Sequence, residues 1–465
     1  MSISRKMAEF AYGLRYEDVP QAARHEAKRF LLDSMGCALA AVEKEDIQAM
    51  YRFIRGLGGV EQATVIGSGE RTSAPNAALM NCLLTRALDY NDIYWVQDPS
   101  HPSDMIGAVL AAAEANGRDG REALLGIIIA YELEMRWCHA ARPGIREIGW
   151  HHASLTQFVS PLVAGRMYDL NVEQLVAAVG ISGSSHFTLG GVVAGHLTNM
   201  KNAADPMAAQ AGVQAALMAR QGFTGPAEVI EGKEGLMEVL RSVEWHPERL
   251  LEGLGEEFII TDCSYKAFPT EALTHQPISA ALALRREHAI VPGAITEVLV
   301  ETTTRGADIL SDPSKYHPET KETADHSLPY VIAAALADGQ VLPASFSDEK
   351  LKDAPIWDLL GKITVVADPE IDALFPGIKR ARVTISTQDG GRYTKQTDVA
   401  KGAPEDPLSD TEIEAKFRAN AREALTEGQQ DRAIEATWAF DGQQDLGEYM
   451  RLFVAPALSK AVIEA

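Results

Sequence analysis

Residues 31–39 read Leu31-Leu32-Asp33-Ser34-Met35-Gly36-Cys37-Ala38-Leu39, and the spacing of their apolar side chains decides the fold class. Leu31, Met35, Ala38 and Leu39 fall at i, i+4, i+7 and i+8, the period of one helix face. Similar stripes recur over residues 76–90, 105–116, 122–140, 153–168 and 206–221, so the chain up to about residue 260 reads as helical. Glycine and proline punctuate the stripes, as in Gly56-Leu57-Gly58-Gly59, Arg142-Pro143-Gly144 and Gly222-Phe223-Thr224-Gly225-Pro226. Beyond Lys266 the pattern changes: β-branched runs at 297–304, 362–367 and 382–387 alternate with helical stretches around 271–288 and 324–338. Asp389-Gly390-Gly391 has hairpin chemistry, because glycine adopts positive φ freely, and it predicts antiparallel strands on either side. The tail returns to helix, with Ser409 and Glu412 as a capping box ahead of Ile413, Phe417 and Leu425. The expected architecture is mainly α. A large all-helical domain, residues 1–264 and 400–465, is interrupted by a smaller inserted α+β domain, residues 265–399.

Length and composition support this division. The chain has 465 residues, more than one hydrophobic core serves, since cores stop growing at about 250–300 residues. With 46% hydrophobic and 23% charged residues it is expected to fold throughout. Its 65 acidic residues against 43 Lys plus Arg give a net charge of −22, which opposes binding to nucleic acid or to an anionic membrane surface. A local cationic pocket can still take a small anionic substrate, because exposed charges are screened beyond about 8 Å. Cys37, Cys82, Cys138 and Cys263 lie far apart, without the ligand spacing of a zinc or iron–sulfur site, so a reduced, cytoplasmic protein is expected. No continuous apolar segment follows the basic start, and Leu124 to Tyr131 falls short of the roughly 20 residues that cross a bilayer, so neither signal peptide nor membrane span is expected.

Residues with catalytic chemistry gather in four separated segments set among small residues and turn formers. They are Arg86 with Asp89, Asn91 and Asp92, followed by His101-Pro102-Ser103-Asp104; Gly149-Trp150-His151-His152; His196 with Lys201 and Asp205; and Lys266 ahead of Phe268-Pro269-Thr270-Glu271. One shared site would account for all of them. Histidine titrates near neutrality and can act as base in one step and acid in the next, which makes His101, His151 and His152 proton-transfer candidates, with either of the adjacent pair pointing inward. Pro102 and Ser103 predict a turn that places His101 at a helix entrance. Lys201 reads as a loop lysine reaching into a cleft, and Lys266 lies at the domain change, where clefts form. With Arg86 they are cations for a substrate carboxylate whose charge grows as the adjacent carbon loses its proton. Asp89 and Asp92, three apart, are expected near one helical face, where they either orient a histidine or hold a substrate hydroxyl, with helix capping as the plainer role for Asp92. Asp325 is explained equally by a helix N-cap or by a substrate contact. His139 and His246 read as packing or surface residues.

These segments, together with Lys201-Asn202, Asp205-Pro206 and Thr323-Ala324-Asp325-His326-Ser327-Leu328-Pro329-Tyr330, resemble the MmgE/PrpD family, also called the 2-methylcitrate dehydratase family, over nearly the whole chain. The resemblance implies a helical domain and a smaller lid with the site between them, usually in a homodimer. It implies loss of water from 2-methylcitrate or a closely related hydroxy-polycarboxylate, with a small polycarboxylate as the partner and no cofactor. The catalytic residues expected on this basis are His101, His151, His152, Lys201, Lys266 and Asp89. The expected substrate contacts are Arg86, Asn91, Asp92, Ser103, Asp104 and Glu271, with His326 and Tyr330 behind them. Phe268-Pro269-Thr270-Glu271 lacks the further histidine that decarboxylase members carry after the lysine at this position, and so looks closer to the dehydratase branch. His151 departs from the pattern, standing where many dehydratases have aspartate. Decarboxylation of cis-aconitate and epimerisation of iminodisuccinate are the alternatives on the same scaffold.

Other classes fit less well. There is no His-Glu-x-x-His, and adjacent His151 and His152 would point apart on a helix, so no metal site is expected. No Walker-type loop, no Gly-x-Gly-x-x-Gly after a strand and no Gly-x-Ser-x-Gly is present, which argues against a nucleotide-dependent enzyme or a serine hydrolase. A noncatalytic helical binding module is the alternative outside enzymes, and turnover of any hydroxy-polycarboxylate would exclude it.

Overall fold

A computed structural model describes residues 1–194 and 197–456; His196 lies outside them. The chain forms two compact units. The first comprises Met1–Val192, Met200–Cys263 and residues 409–456, and the second is built on Ser264–Leu408.

The first unit is helical, as the stripes predict. Gln21–Ala41, Ala74–Arg86, Ile106–Ala115, Gly120–Trp137, Ser160–Met167 and Met200–Arg220 pack around one core. Leu124, Leu125, Ile127, Ile128 and Ile129 are all at most 1% exposed. Each such side chain contributes about 1.5–3 kcal/mol, which offsets the cost of burying Glu132, Glu134 and Arg136 in the same helix. Close approach of Ile106–Ala115 to Ala74–Arg86 depends on Gly107, where an added Cβ would lie 2.6 Å from the backbone nitrogen of Cys82. Asp410–Ala421, opened by the Ser409/Glu412 capping box, lies against Gln21–Ala41 at Gly36, beneath Phe417. There Lys416 Nζ is 2.7 Å from Asp33 Oδ1 and donates at 2.8 Å to the carbonyl of Tyr90. This buried cation therefore anchors the turn that carries Asp89 and Asn91. Strand structure described in this unit is limited to two-residue ladders such as Ala63–Thr64 with Arg71–Thr72.

The second unit holds a mixed four-stranded sheet in the spatial order Arg392–Thr397, Ala381–Thr387, Ile295–Thr302, Ile363–Ala367. The hairpin forms at Asp389-Gly390-Gly391 with Gly390 at φ +86°, pairing Ser386 with Arg392. The strands flanking the hairpin are antiparallel, as the sequence suggested, while Ile363–Ala367 runs parallel to Ile295–Thr302. A parallel pair needs a crossover, and the helices Leu328–Asp338 and Ala354–Leu360 lie in the intervening chain. His275–Glu287 covers the sheet on Ala381–Thr387 and Arg392–Thr397. Among the described residues no helix is long and apolar enough to cross a membrane.

Candidate active site

The site in the first unit begins where the Ala74–Arg86 helix stops. Asp89 turns the chain at φ +51°, a left-handed conformation that aspartate tolerates better than most residues, with its N–H donating to the Arg86 carbonyl at 2.9 Å. The apolar stripe over 76–90 suggested a longer helix with Asp89 and Asp92 on one face; the left-handed turn removes both from it. Arg86, 3% exposed, forms an ion pair with Asp89 and lies 3.3 Å through Nε from Asp104 Oδ2. Asn91 Nδ2 donates to Asp104 Oδ1 and to Ser103 Oγ, each at 2.8 Å. Ser103 donates to Asp92 through Oγ at 2.6 Å and through its backbone N–H at 3.1 Å. Asn91, Asp92, Ser103 and Asp104 are thus bonded to one another, and they hold the short 3-10 turn Pro102–Met105 that His101 precedes. His101 Nδ1 is 2.6 Å from the Asp92 carbonyl. A carbonyl only accepts, so Nδ1 carries the hydrogen and Nε2 is the basic nitrogen of the neutral ring.

The second segment brings its histidines to the first. The His152 ring centroid lies 5.5 Å from that of His101 and 3.9 Å from that of His151. The adjacent rings do not point apart, because both precede the short helix Ala153–Thr156 rather than lying within it. His151 Nδ1 accepts from the Ala153 N–H at 3.2 Å, which places the hydrogen of the neutral ring on Nε2. Burial, and next the neighbouring His152, hold His151 well below the ordinary histidine pKa. It is a neutral ring against which His152 rests. His152 Nε2 lies 3.3 Å from Asp205 Oδ2, so His152 is the member of the pair with an acid–base partner.

Lys201 and Asp205 sit in the opening turns of Met200–Arg220, four residues apart and therefore on one face. The sequence placed Lys201 in a loop, and the helix begins one residue earlier. A cation in a first turn opposes the helix dipole. Asp89 offsets this, with Oδ2 3.1 Å from Lys201 Nζ, and both groups are nearly fully buried. Two linked sets result: Lys201, Asp89, Arg86 and Asp104 form one, Asp205, His152 and His101 the other, and Lys201 and Asp205 carry them on the same helix.

Burial dominates the electrostatics. It works against the Arg86 charge, but Asp89, Asp104 and Asp205 more than restore it and raise the pKa. Burial alone would raise Asp205; His152, then His151 and Arg86, outweigh it and hold this carboxyl below its usual range. Burial pushes Asp104 well above that range despite Arg86, and pushes Asp92 up to about 6 despite its bonds from Ser103. His151, His152 and Asp205 bring one donor atom each within 4.8 Å of one another. They suit a metal poorly, since the His151 Nδ1 lone pair is taken by Ala153 and Nε2 carries a hydrogen. A cleft of about 830 Å³ opens elsewhere in this unit, walled by Trp150, Phe187, Lys233 and Val239 but by none of the histidines.

Two further buried residues were missed by the sequence reading. Lys416 fixes the Asp89–Asn91 turn through Tyr90. Glu134 accepts from Ser100 Oγ at 2.6 Å and from Thr156 Oγ1 at 2.8 Å. An acid inside the apolar run 124–137 was the available signal for Glu134.

The remaining candidates lie in the second unit. Lys266, 1% exposed, donates through Nζ to the Thr270 carbonyl at 3.0 Å. Glu271 caps a short turn by accepting from the Leu273 N–H at 2.6 Å. Asp325 does not cap the Leu328–Asp338 helix; Ser327 does, accepting from the Tyr330 N–H at 3.0 Å. Asp325 instead lies 2.6 Å from His326 Nδ1 and 2.6 Å from Lys321 Nζ. Tyr330 is fully buried in the core, and its hydroxyl donates to the Ser345 carbonyl at 2.8 Å.

Facing histidines with a carboxylate behind one and buried cations beside them form an acid–base constellation. Residues 5–247 match the MmgE/PrpD N-terminal domain and residues 268–441 the MmgE/PrpD C-terminal domain. The chain belongs to the MmgE/PrpD family. It is 24% identical to cis-aconitate decarboxylase of Mus musculus, over 98% of this chain and 94% of that one. It is 26% identical to 2-methylcitrate dehydratase of Salmonella typhi, over 95% of each chain. It is 23% identical to cis-aconitate decarboxylase of Aspergillus terreus, over 99% of this chain and 97% of that one. These relatives are lyases.

Proposed function

We propose that this protein is a cofactor-independent hydro-lyase that removes water from 2-methylcitrate or a closely related hydroxy-polycarboxylate to give a cis-alkene. The observation that carries the reading is the pair formed by His101 and His152, 5.5 Å apart between ring centroids. Elimination needs a base and an acid in one turnover. His101 Nε2 takes the proton from the carbon beside a carboxylate, and that C–H electron pair becomes the double bond. His152, protonated and countered by Asp205 at 3.3 Å, gives its proton to the departing hydroxyl, which leaves as water. Lys201 and Arg86 stabilise the carboxylate on which negative charge accumulates, and Lys266 is assigned a like role. Asp89 fixes the Lys201 ammonium. A homodimer in the cytoplasm belongs to the same reading, and sedimentation tests the dimer.

Decarboxylation of cis-aconitate is the second reading, favoured by relatives of that name matching almost the whole chain. It calls for a proton donor to the carbanion left by carbon dioxide but not for an opposed base, which is why the histidine pair favours elimination. Incubation with 2-methylcitrate, citrate, cis-aconitate and iminodisuccinate separates the readings. An absorbing alkene without carbon dioxide supports the hydro-lyase, carbon dioxide from cis-aconitate supports the decarboxylase, and turnover of none refutes both.

A further inference from the structure

Glu134 has no part in the chemistry just described, yet one of its oxygens touches both histidine-bearing segments. It is 1% exposed, on the Gly120–Trp137 helix. Its Oε1 accepts from the hydroxyl of Ser100, the residue before His101, and from the hydroxyl of Thr156, on the short helix that follows His152. The second oxygen has no hydrogen-bond partner among the described residues. Thr156 Oγ1 also lies 3.4 Å from Asp205 Oδ1, the carboxylate behind His152. A hydroxyl has one hydrogen, so Thr156 gives it to Glu134 or to Asp205, and the shorter contact is to Glu134.

We propose that Glu134 is a positioning residue for the acid–base pair: by holding Ser100 and Thr156 on one oxygen, it sets the spacing and facing of His101 and His152. The inference rests on the reading of those histidines as the acid–base pair, but the brace itself is a property of the ligand-free protein. The helix turns that flank Glu134 are packed in the core, which holds its carboxylate in place. Proton transfer is sensitive to such spacing, and a displacement of about 1 Å can cost on the order of 100-fold in rate. The titratable groups acting on Glu134 are Asp205 and Asp92, with Cys138 one turn along its own helix donating to its carbonyl. Burial, despite the two hydroxyl bonds, raises the Glu134 carboxyl to about 7, which agrees with a group retained for its geometry at the expense of easy ionisation.

The test compares Glu134→Gln, whose amide oxygen can still accept both hydroxyls, with Glu134→Leu, which cannot. For whichever substrate of the family is turned over, Glu134→Leu should lower kcat by roughly 10- to 100-fold with little change in KM, and Glu134→Gln should recover most of the loss. Imidazole NMR signals of His101 and His152, recorded without substrate, should move in Glu134→Leu and stay near wild type in Glu134→Gln. Shifted histidine signals with no turnover of any polycarboxylate would leave the brace standing and sink the functional reading instead. Unmoved signals and unchanged kcat in a folded Glu134→Leu protein would overturn the proposal. If that variant does not fold, Thr156→Val removes one arm of the brace with little change in volume. A wild-type kcat and unmoved His152 signals there would also overturn it.

Discussion

Replacing Lys201 by methionine removes a charge while keeping most of the buried side-chain volume, so the loss reports electrostatics rather than a cavity. The Lys201 ammonium is nearly fully buried and lies 3.1 Å from Asp89 Oδ2. At an effective dielectric constant of about 20, unit charges about 4 Å apart interact by about 4 kcal/mol. Two interactions compete for that energy. Asp89 keeps Arg86 as a partner after the substitution, so the carboxylate is not stranded and the cost to folding stays moderate. A substrate carboxylate has no such substitute, and its charge grows as the adjacent proton leaves. Loss of one buried electrostatic donor of this kind costs about 10²–10³ fold, or about 2.7–4 kcal/mol. Steady-state kinetics should therefore give a fall of that size in kcat/KM, with circular dichroism and the thermal midpoint close to wild type. A kcat/KM within about threefold of wild type in a folded Lys201→Met protein would refute the assignment of this cation to the transition state.

Three further outcomes follow from the same geometry. Lys266→Met should also lower kcat/KM by about 10²-fold or more, and unchanged kinetics would remove Lys266 from the reaction. EDTA should leave activity intact, because the His151, His152 and Asp205 donor set is committed to hydrogen bonds and an ion pair; loss restored by a divalent ion would contradict that. Stability should depend on pH through Glu134 and Asp92, whose folded pKa values lie above ordinary carboxylates at about 7 and about 6. A raised folded pKa gives stability that is present below the unfolded value near about 4 and lost as pH rises through the folded one. Asp205, held low, acts oppositely and loses its contribution only under acid conditions. Wild-type thermal midpoints should thus fall relative to those of Glu134→Gln between about pH 4 and about pH 7; parallel profiles would count against a raised carboxyl at Glu134.

The helical stripes and the family's ordered motifs were legible because apolar periodicity and turn residues are local signals. Pro102 and Ser103 announced the turn at His101, and Ser409 with Glu412 announced the last helices. Tertiary choices were not legible. The stripe over 76–90 continues through Asp89, but the chain leaves the helix there for a left-handed turn whose partners, Lys201 and Lys416 beside Tyr90, come from distant segments. Lys201 read as loop because it follows a segment, Gly190 to Asn199, with little apolar periodicity, although it lies in the first turn of Met200–Arg220, a helix that carries Pro206 inside it. The choice between His151 and His152 turned on a hydrogen bond from the Ala153 N–H to His151 and an ion pair of His152 with Asp205, which no spacing rule encodes. The parallel Ile363–Ala367 strand was invisible for a like reason, since its direction is fixed by a crossover.

The central claim is that His101 Nε2 removes a carbon-bound proton beside a carboxylate, and His101→Gln in heavy water tests it most directly. Glutamine keeps polarity and approximate size but does not titrate. The account predicts a folded variant that neither forms alkene nor exchanges substrate hydrogen with solvent, alongside a wild type that releases water and alkene without carbon dioxide. A folded His101→Gln protein that still exchanges the substrate proton at the wild-type rate would contradict it.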